Sequence, residues 1–454
     1  MLQAMKRTVL LAASLAALPV SIVWWLGQLV RHLSVLRRAE VVILDSHMVN
    51  YGVALIAIDI ARRLFPGRKV IYCYLWHPAS TQNPQIEHIW TDITILPLRQ
   101  ANMLLPVFGR NIRLPFLEHS VPVLNFFSRV FMSLAARKVT IKSRRKMFSE
   151  IPVPPELKDV IPPDYNEREY GSLHLQTLWR SLGDDCPAPP PVFPERERME
   201  IHALLKAARG GRSARLCMMY NKVEPVGSLN NRECSEMTAY LPAIRLLVAD
   251  GYQVMLAGDR TLDDRDFESF DGMVVDDERL GVDRQLFLMF APLEADICVG
   301  DAGGGVILPE IRGIPMLVLN AYPIAIVAGL GASAWVYPKH HTDKITGDPV
   351  PIECVFRDEP YGHFTPSANL SGLSQPHPNA EEEITEAVRC FLEEVAHPTG
   401  DKPGRDLVNL LPRESAFCVS GARLSPAFVK HDHLINSREQ NMQGETLAVP
   451  AERT

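Results

Sequence analysis

Short apolar runs alternate with amphipathic segments along the chain from residue 39 onward. Glu40–Asp45 (EVVILD) and Lys69–Leu75 (KVIYCYL) are apolar except at the charged residues at their ends, and Tyr51–Leu64 between them has apolar positions at helical spacing. Apolar runs of this length are typical of strands buried on both faces of a parallel sheet. The pattern predicts a βαβ unit whose ligand loop, residues 46–52, follows the first strand. Two further strands of this sheet are predicted at Asp92–Leu96 and Lys138–Ile141.

The same alternation is clearer in the second half of the chain. There it predicts five strands with interposed helices, which make a second doubly wound sheet. The predicted strands are Arg215–Tyr220, Tyr252–Ala257, Met273–Asp276, Ala295–Val299 and Ile314–Leu319. The predicted helices are Cys234–Asp250, Arg284–Ala291 and Val306–Arg312. A later helix is predicted to start at Asn379, a capping residue type followed closely by three glutamates.

The segment between these two halves is rich in proline. Ten prolines fall between Ile151 and Pro194, which disfavours long regular elements there. We therefore predict a domain boundary in this region. The resulting division is an anchor at residues 1–38, a first Rossmann-like domain at 39–195, a second at 196–396, and a mostly irregular tail at 397–454.

The N-terminal segment Thr8–Val30 contains no charged residue. At about 1.5 Å per residue, a helix of this length crosses a hydrocarbon core about 30 Å thick. The segment predicts a single transmembrane helix, and the flanking basic residues favour keeping the rest of the chain in the cytoplasm. The expected location is the inner membrane. A cleaved signal peptide is the alternative, although the run is long and lacks a small-residue cleavage site. The flanking basic residues are Lys6, Arg7, Arg31, Arg37 and Arg38.

Composition excludes several classes of protein. The 454 residues include 47 Lys+Arg against 53 Asp+Glu, and 47% of residues are hydrophobic, which argues against a disordered chain, a coiled coil or a nucleic-acid-binding protein. The eight cysteines show no CxxC spacing and are expected to be thiols in a reducing compartment. His340-His341 and His431-x-His433 lack further ligands at zinc spacing, so no metal or other cofactor is predicted.

A glycine-rich run, Gly300-Asp301-Ala302-Gly303-Gly304-Gly305, leaves a predicted strand and enters a predicted helix. Glycines allow the backbone to approach a ligand closely, and N–H groups at a helix start attract phosphate oxygens. The run therefore predicts a phosphate-binding loop. The alternative is that the glycines only form the corner between strand and helix.

Two Rossmann-like domains facing each other across a cleft form the GT-B architecture. The second half of the chain resembles an uncharacterised bacterial family of glycosyltransferases of this type. The resemblance is carried by Tyr240–Val254 with Gly258-Asp259, by Asp296–Asn320, by the Asn379 helix and by Ser425–Phe428. It implies that the second domain holds a nucleotide-sugar donor. The donor-binding residues expected from the loop and the resemblance are Gly258, Asp259, Gly300, Asp301, Gly303, Gly304, Gly305, Glu310 and Asn320.

Cationic residues of the family pattern are missing from this chain. Met219 and Asn221 stand where the family usually has a His and an Arg, and Leu256 replaces a further Arg. Such cations stabilise the diphosphate leaving group. Arg232 is predicted to supply the missing charge, the alternative being an ordinary solvated arginine.

The loop after the first strand is expected to bind the acceptor. His47 is a candidate general base for an acceptor hydroxyl, and Ser46, Asn50 and Gly52 are candidate contacts, with Gly52-Val53 replacing the family's Gly-His. Together these features predict a metal-independent glycosyltransferase with a surface-glycan or lipid-linked acceptor. A weakened sugar-nucleotide-binding or assembly protein and a nucleotide-sugar epimerase remain open. The basic run at 137–146 is either a solvated face or a contact with anionic lipid.

Overall fold

The computed structural model describes residues 23, 26–27, 29–45, 51–76, 83–99, 104–107, 110–113, 130, 139–143, 147, 179–180, 182, 188–222, 235–259, 261–322, 329–352, 374–398 and 421–431. These residues form two compact units. Unit 1 contains the described residues up to 147 together with 188–192, and unit 2 contains 179–182 and those from 193 onward.

Unit 1 is built on a four-stranded parallel sheet of order β3-β2-β1-β6. The helix predicted at Tyr51–Leu64 is confirmed, and the four predicted strands are present with ends shifted by at most three residues. A short antiparallel hairpin, β4-β5, was not predicted. The elements are α1 (Leu33–Leu36), β1 (Val41–Asp45), α2 (Tyr51–Leu64), β2 (Val70–Trp76), β3 (Ile93–Arg99), β4 (Leu104–Val107), β5 (Arg110–Arg113) and β6 (Thr140–Ser143).

The residues just before β1 belong to the core of unit 1. Leu29, Leu36 and Ala39 are buried against Val42 and other apolar residues of β1, β2 and β3. Leu29 lies inside the predicted anchor Thr8–Val30, so the end of that segment packs on protein. No helix of the described residues is long and apolar enough to cross a membrane. Residues 8–22 lie outside the described part of the chain, and the anchor stays a prediction.

Unit 2 is built on a seven-stranded parallel sheet of order β16-β12-β11-β10-β7-β8-β9. The five predicted strands are all present, and two more, β12 and β16, extend the sheet. The strands are β7 (Arg215–Tyr220), β8 (Tyr252–Leu256), β9 (Val274–Val275), β10 (Ile297–Asp301), β11 (Met316–Ala321), β12 (Ala334–Pro338) and β16 (Arg423–Leu424). A small antiparallel sheet contains β13 (His340–Asp343), β14 (Pro349–Val350) and β15 (Ser374–His377).

The helices of unit 2 depart from the sequence pattern at their ends. The single helix predicted at Cys234–Asp250 is a 3₁₀ turn, Met237–Tyr240, followed by an α-helix from Leu241. Pro242 explains this start, because proline lacks a donor and fits the first helical turn. The helices are α3 (Glu195–Ala208), α4 (Leu241–Ala249), α5 (Asp264–Ser269), α6 (Asp277–Leu280), α7 (Arg284–Glu294), α8 (Ile307–Arg312) and α9 (Glu381–Ala396).

The prediction that Asn379 caps α9 is wrong. Ala380 occupies the cap position, and its N–H donates to the Glu383 carboxylate at 2.7 Å. The Asn379 side chain instead accepts from the Asn320 N–H at 2.6 Å and donates to the Pro338 carbonyl at 3.0 Å. Tertiary contacts therefore take this amide away from its own helix.

Unit 1 contains a buried ionic cluster around Arg62, whose side chain is 1% exposed. The guanidinium donates to Asp92 at 2.6 Å and to Asp59 at 3.1 Å, and it lies 4.5 Å from the Trp90 ring centre. We expect Arg62→Met to lower the free energy of unfolding by about 3 kcal/mol, because the buried Asp59 carboxylate keeps only Arg63 as an ionic partner and Asp92 loses its arginine. Urea titration followed by circular dichroism measures this change.

The matched control for Arg62 is Arg196→Met. Arg196 pairs with Glu200 at 3.1 Å, but their side chains are 84% and 61% exposed, so we expect a loss below about 1 kcal/mol. Equal losses for the two variants would show that the buried cluster adds nothing beyond a surface ion pair.

Candidate functional site

The carboxyl ends of β7 and β10 mark the topological switch point of unit 2. From β7 the sheet grows through β8 to β9, whereas from β10 it grows in the opposite direction through β11 and β12. Open α/β sheets bind ligands outside the carboxyl ends of their strands at such a point. Asn221 and Lys222 directly follow β7, and Asp301 ends β10 and begins the glycine-rich loop.

Asp301 is the centre of a buried polar network at this edge. The residue is 0% exposed, and its carboxylate accepts hydrogen bonds from three chain segments besides its own. Asn221 Nδ2 and the Lys222 N–H donate to Oδ2 at 2.9 and 2.8 Å. Asn320 Nδ2 donates to Oδ1 at 2.7 Å, and the Tyr240 hydroxyl donates to the same oxygen. The carboxylate therefore fixes the ends of β7, β10 and β11 and the start of α4.

Asn320 extends this network to α9. Its backbone has a φ of 48°, a left-handed conformation that asparagine tolerates better than most residues. Its N–H donates to Asn379 Oδ1 at 2.6 Å, and its own Oδ1 accepts from the Asn379 N–H at 2.8 Å. The Ser235 hydroxyl donates to the Asn379 carbonyl at 2.6 Å. Asn320 and Asp301, both expected as donor-binding residues, are thus buried groups that hold the surrounding loops.

The protonation of Asp301 follows from its surroundings. Burial raises its pKa, because desolvation disfavours the charged form. Hydrogen bonds from Tyr240, the Lys222 N–H and Asn320 act in the opposite direction, as does the positive charge of buried Lys339. Burial is the largest of these effects, and the pKa remains above the ordinary aspartate value.

The glycine-rich loop packs against the end of β7 and against Lys222. A Cβ on Gly300 would lie 2.2 Å from the Tyr220 carbonyl oxygen, and one on Gly305 would lie 2.6 Å from the Tyr220 ring. Close packing therefore explains these two glycines. Gly303 has an extended backbone with a φ of 166°, and a Cβ there would lie 3.3 Å from Lys222 Cδ. Gly303, Gly304 and Gly305 are half-buried, and none has a φ in the left-handed region.

Lys222 is a cation beside this loop that the sequence pattern did not identify. Its N–H is bound to Asp301, which fixes its backbone, and its aliphatic chain passes over Gly303. The residue is half-buried. The signal that could have found it is its place, two residues after the end of β7, because that edge of a parallel sheet is where ligands bind.

The predicted turn at Gly258-Asp259 follows β8 and also packs on the end of β7. A Cβ on Gly258 would lie 2.2 Å from the Asn221 carbonyl oxygen, and the Asp259 N–H donates to that oxygen at 2.7 Å. Arg284 at the start of α7 donates to the Gly258 carbonyl at 2.9 Å and pairs with Asp277 at 3.3 Å. A second cation missed by the sequence pattern therefore lies at this edge.

Glu310, the candidate ribose ligand on α8, contacts its own unit. Its Oε1 accepts from the Gly331 N–H at 2.9 Å. A Cβ on Gly331 would lie 2.8 Å from both Glu310 Oε1 and Arg180 Nη1, so an arginine lies close to this carboxylate. The contacts are those of a residue that fixes the loop before β12.

Four of the candidate site residues lie outside the described part of the chain: Ser46, His47, Asn50 and Arg232. Their roles stay predictions. Gly52 is described and is buried in the first turn of α2. Met219 and Leu256, which replace cations of the family pattern, are 1% and 4% exposed and belong to the core.

The described residues of unit 1 also line a cavity of about 760 Å³. It lies at the amino ends of β2 and β3, near Val70 and Ile93, and its lining includes Arg38, Arg62 and Lys69. Ligands of α/β sheets bind at the opposite, carboxyl edge. We therefore keep this cavity apart from the candidate site.

Comparisons with known proteins give remote similarities only. No protein-family model and no curated protein sequence matches the chain. The glycosyl transferase family 9 structure from Veillonella parvula DSM 2008 is 13% identical, covering 78% of this chain and 97% of that chain with a TM-score of 0.42. The E. coli ADP-heptose lps heptosyltransferase II is 11% identical, with coverages of 78% and 99% and a TM-score of 0.41. UDP-GlcNAc 2-epimerase from Neisseria meningitidis is 12% identical, with coverages of 65% and 86% and a TM-score of 0.27.

The candidate site of this chain is defined by its own sheet order, loop and side chains.

Asp301→Asn tests the buried network. We expect the free energy of unfolding to fall by about 2–3 kcal/mol, because the new amide removes an acceptor and faces buried donors. Since the raised pKa means that the folded protein holds this proton more tightly than the unfolded chain, the contribution of Asp301 to stability falls as pH rises from 3.8 through the raised pKa. In urea titrations, the difference in free energy of unfolding between wild type and Asp301→Asn should therefore become smaller as the pH rises over that interval.

Asp264→Asn provides the control for this measurement. The Asp264 side chain pairs with Arg279 but is 90% exposed, so we expect a change below about 1 kcal/mol. A difference between wild type and Asp301→Asn that widened with rising pH would contradict a raised pKa at Asp301.

Proposed function

We propose that the protein is a glycosyltransferase that moves a sugar from a nucleotide-sugar donor, held by unit 2, to a surface-glycan or lipid-linked acceptor. The observation that carries the proposal is the glycine-rich loop at the switch point of a seven-stranded parallel sheet. Backbone N–H groups of Gly303 and Gly304 are suited to a diphosphate at this edge, since a loop leaving a strand presents them toward the ligand.

Cationic side chains around this edge support a diphosphate ligand. Lys222 lies against Gly303, Arg284 binds the carbonyl of Gly258, and Lys339 is buried next to Asp301. Positive charge near the diphosphate stabilises the leaving group in the transition state. We propose that Lys222 supplies charge that the family pattern places on β7 and β8, and that no metal is needed for this task.

A second candidate function, binding of a sugar nucleotide without transfer, is supported by two positions where the family pattern has cations. Met219 and Leu256 are apolar and buried, so neither can reach a phosphate. A protein that binds a sugar nucleotide without transferring the sugar would keep the loop and lose such cations. The two functions share the donor site and differ only in turnover.

We propose that the protein is attached to the inner membrane by Thr8–Val30, whose last residues also pack on unit 1, with both units in the cytoplasm where nucleotide-sugars are made. The uncharged sequence of this segment supports the proposal. Mature protein that began after the segment would show a cleaved signal instead. Protein that stayed with membranes after an alkaline wash would agree with an anchor.

A panel of nucleotide-sugars incubated with the full-length protein tests the function. We expect slow hydrolysis of one donor without acceptor, and faster release of the nucleotide when the acceptor is present. Binding of a donor with no chemistry would favour the assembly protein, and isomerisation of the donor sugar would identify an epimerase. If the protein bound no member of the panel, a donor site in unit 2 would be contradicted.

Lys222→Ala tests the cation beside the loop. We expect the free energy of binding of a nucleoside diphosphate to weaken by about 1.5–3 kcal/mol, the value of a charge-assisted bond to phosphate. Lys206→Ala on the exposed face of α3 is the control and should bind normally. Calorimetric titration measures the affinity of each variant. A Lys222→Ala affinity equal to that of wild type would exclude a role for Lys222 in binding.

Two glycine variants separate ligand contact from packing in the loop. We expect Gly304→Val to abolish nucleotide binding while the unfolding temperature changes little, because a side chain there blocks the ligand. Gly305→Ala should lower the unfolding temperature, since its Cβ would meet the Tyr220 ring at 2.6 Å. Gly304→Val protein that bound nucleotide as tightly as wild type would place the donor elsewhere.

A further inference from the structure

Three potential metal ligands from distant parts of the chain meet in unit 2. They are His340 at the start of β13, Glu383 in the first turn of α9, and His431 at the end of the helical residues 426–431. One ligand atom from each lies within 4.8 Å of the other two. His340 Nε2 and Glu383 Oε1 are 2.6 Å apart. The spacing of the histidines along the sequence did not reveal this set, because Glu383 comes from a separate helix.

The Glu383 carboxylate is held in place by its own helix. Its Oε2 accepts the Ala380 N–H at 2.7 Å, which leaves Oε1 directed at His340. A backbone hydrogen bond of this kind orients a carboxylate in the way that outer-shell partners orient metal ligands. The carboxylate is 17% exposed, so it is partly shielded from water.

Aromatic packing holds the His340 imidazole, and His431 lies beside it. The His340 ring is stacked on Phe428, with 5.4 Å between ring centres and 18° between planes, and it packs edge-on against Tyr337 at 5.9 Å. Phe428 precedes His431 by three residues, so both side chains lie on one face of the last helix. The ring centres of His340 and His431 are 4.7 Å apart.

We propose that His340, Glu383 and His431 bind a divalent transition metal ion of the zinc class. Two imidazoles and one carboxylate form a donor set that zinc uses when a fourth position is left for water or another ligand. Two ligands on one tetrahedral zinc are roughly 3.3 Å apart at the usual bond lengths. The 2.6 Å between His340 and Glu383 must therefore lengthen, and the wider separations, at most 4.8 Å, must shorten by up to about 1.5 Å. His431 is the most exposed of the three, so its side chain is the one expected to move.

The ion would act as a clamp. It would join β13, α9 and the helical residues 426–431, three segments that are far apart in the sequence. Glu383 lies four residues after Asn379, which binds Asn320 in the network around Asp301. The clamp would therefore fix the helix that supports the candidate donor site, but it does not depend on the function of that site.

Zinc titration of the full-length protein tests the proposal, with the protein purified in detergent and without a histidine tag. In competition with a chromophoric chelator, we expect uptake of about one Zn²⁺ per chain and a higher unfolding temperature on binding. His431→Ala and Glu383→Gln should each weaken Zn²⁺ binding about tenfold or more. Glutamine still accepts the Ala380 N–H, and His431 is exposed, so both variants are expected to fold.

His202→Ala is the matched control. His202 pairs with Glu294 at 2.8 Å on α3 and α7, a histidine-carboxylate contact without the second histidine, and its loss should leave Zn²⁺ binding unchanged. Wild-type protein that takes up no Zn²⁺, a His431→Ala variant that binds as tightly as wild type, or binding that is lost in His202→Ala would each overturn the proposed site.

Discussion

The carboxylate of Asp301 is buried at the carboxyl end of the central strand of unit 2, and the loops around it depend on its hydrogen bonds. A buried carboxylate is stable only when polar groups replace the water it has lost. Here the donors are the Asn221 amide, the Lys222 N–H, the Tyr240 hydroxyl and the Asn320 amide. Because all of these donors must be in place together, the network couples strand ends and a helix start that are distant in the chain.

The same network positions residues of the candidate donor site. The residue that donates its N–H to Asp301, Lys222, is also the one whose side chain crosses the glycine-rich loop. The Tyr220 ring fills the space that a side chain at Gly305 would need. Gly300 and Gly305 are thus needed for packing, whereas Gly303 and Gly304 are the glycines that we propose contact a diphosphate. The sequence shows only their number and order, and it cannot separate these two roles.

The start of α9 contributes to two neighbouring features. Asn379 leaves its expected capping role and joins α9 to β11 through Asn320. Glu383, one turn later, uses one oxygen to close the helix start and the other to approach His340. A single helix end therefore connects the buried network to the histidine cluster. The hydrogen bond from the Ala380 N–H to Glu383 therefore closes the start of α9, although no serine, threonine or aspartate caps it.

The sequence by itself determined the two α/β halves, because apolar runs of strand length and helical spacing reflect local burial. It also found the glycine-rich loop after β10. The strands β12 and β16, the replacement of one long helix by a 3₁₀ turn and α4, and the true cap of α9 were decided by tertiary contacts. The same holds for Lys222 beside Gly303 and for His340, Glu383 and His431. Each of these groups brings together residues from distant elements, and spacing along a chain records no distance between elements that meet only when the sheet is formed.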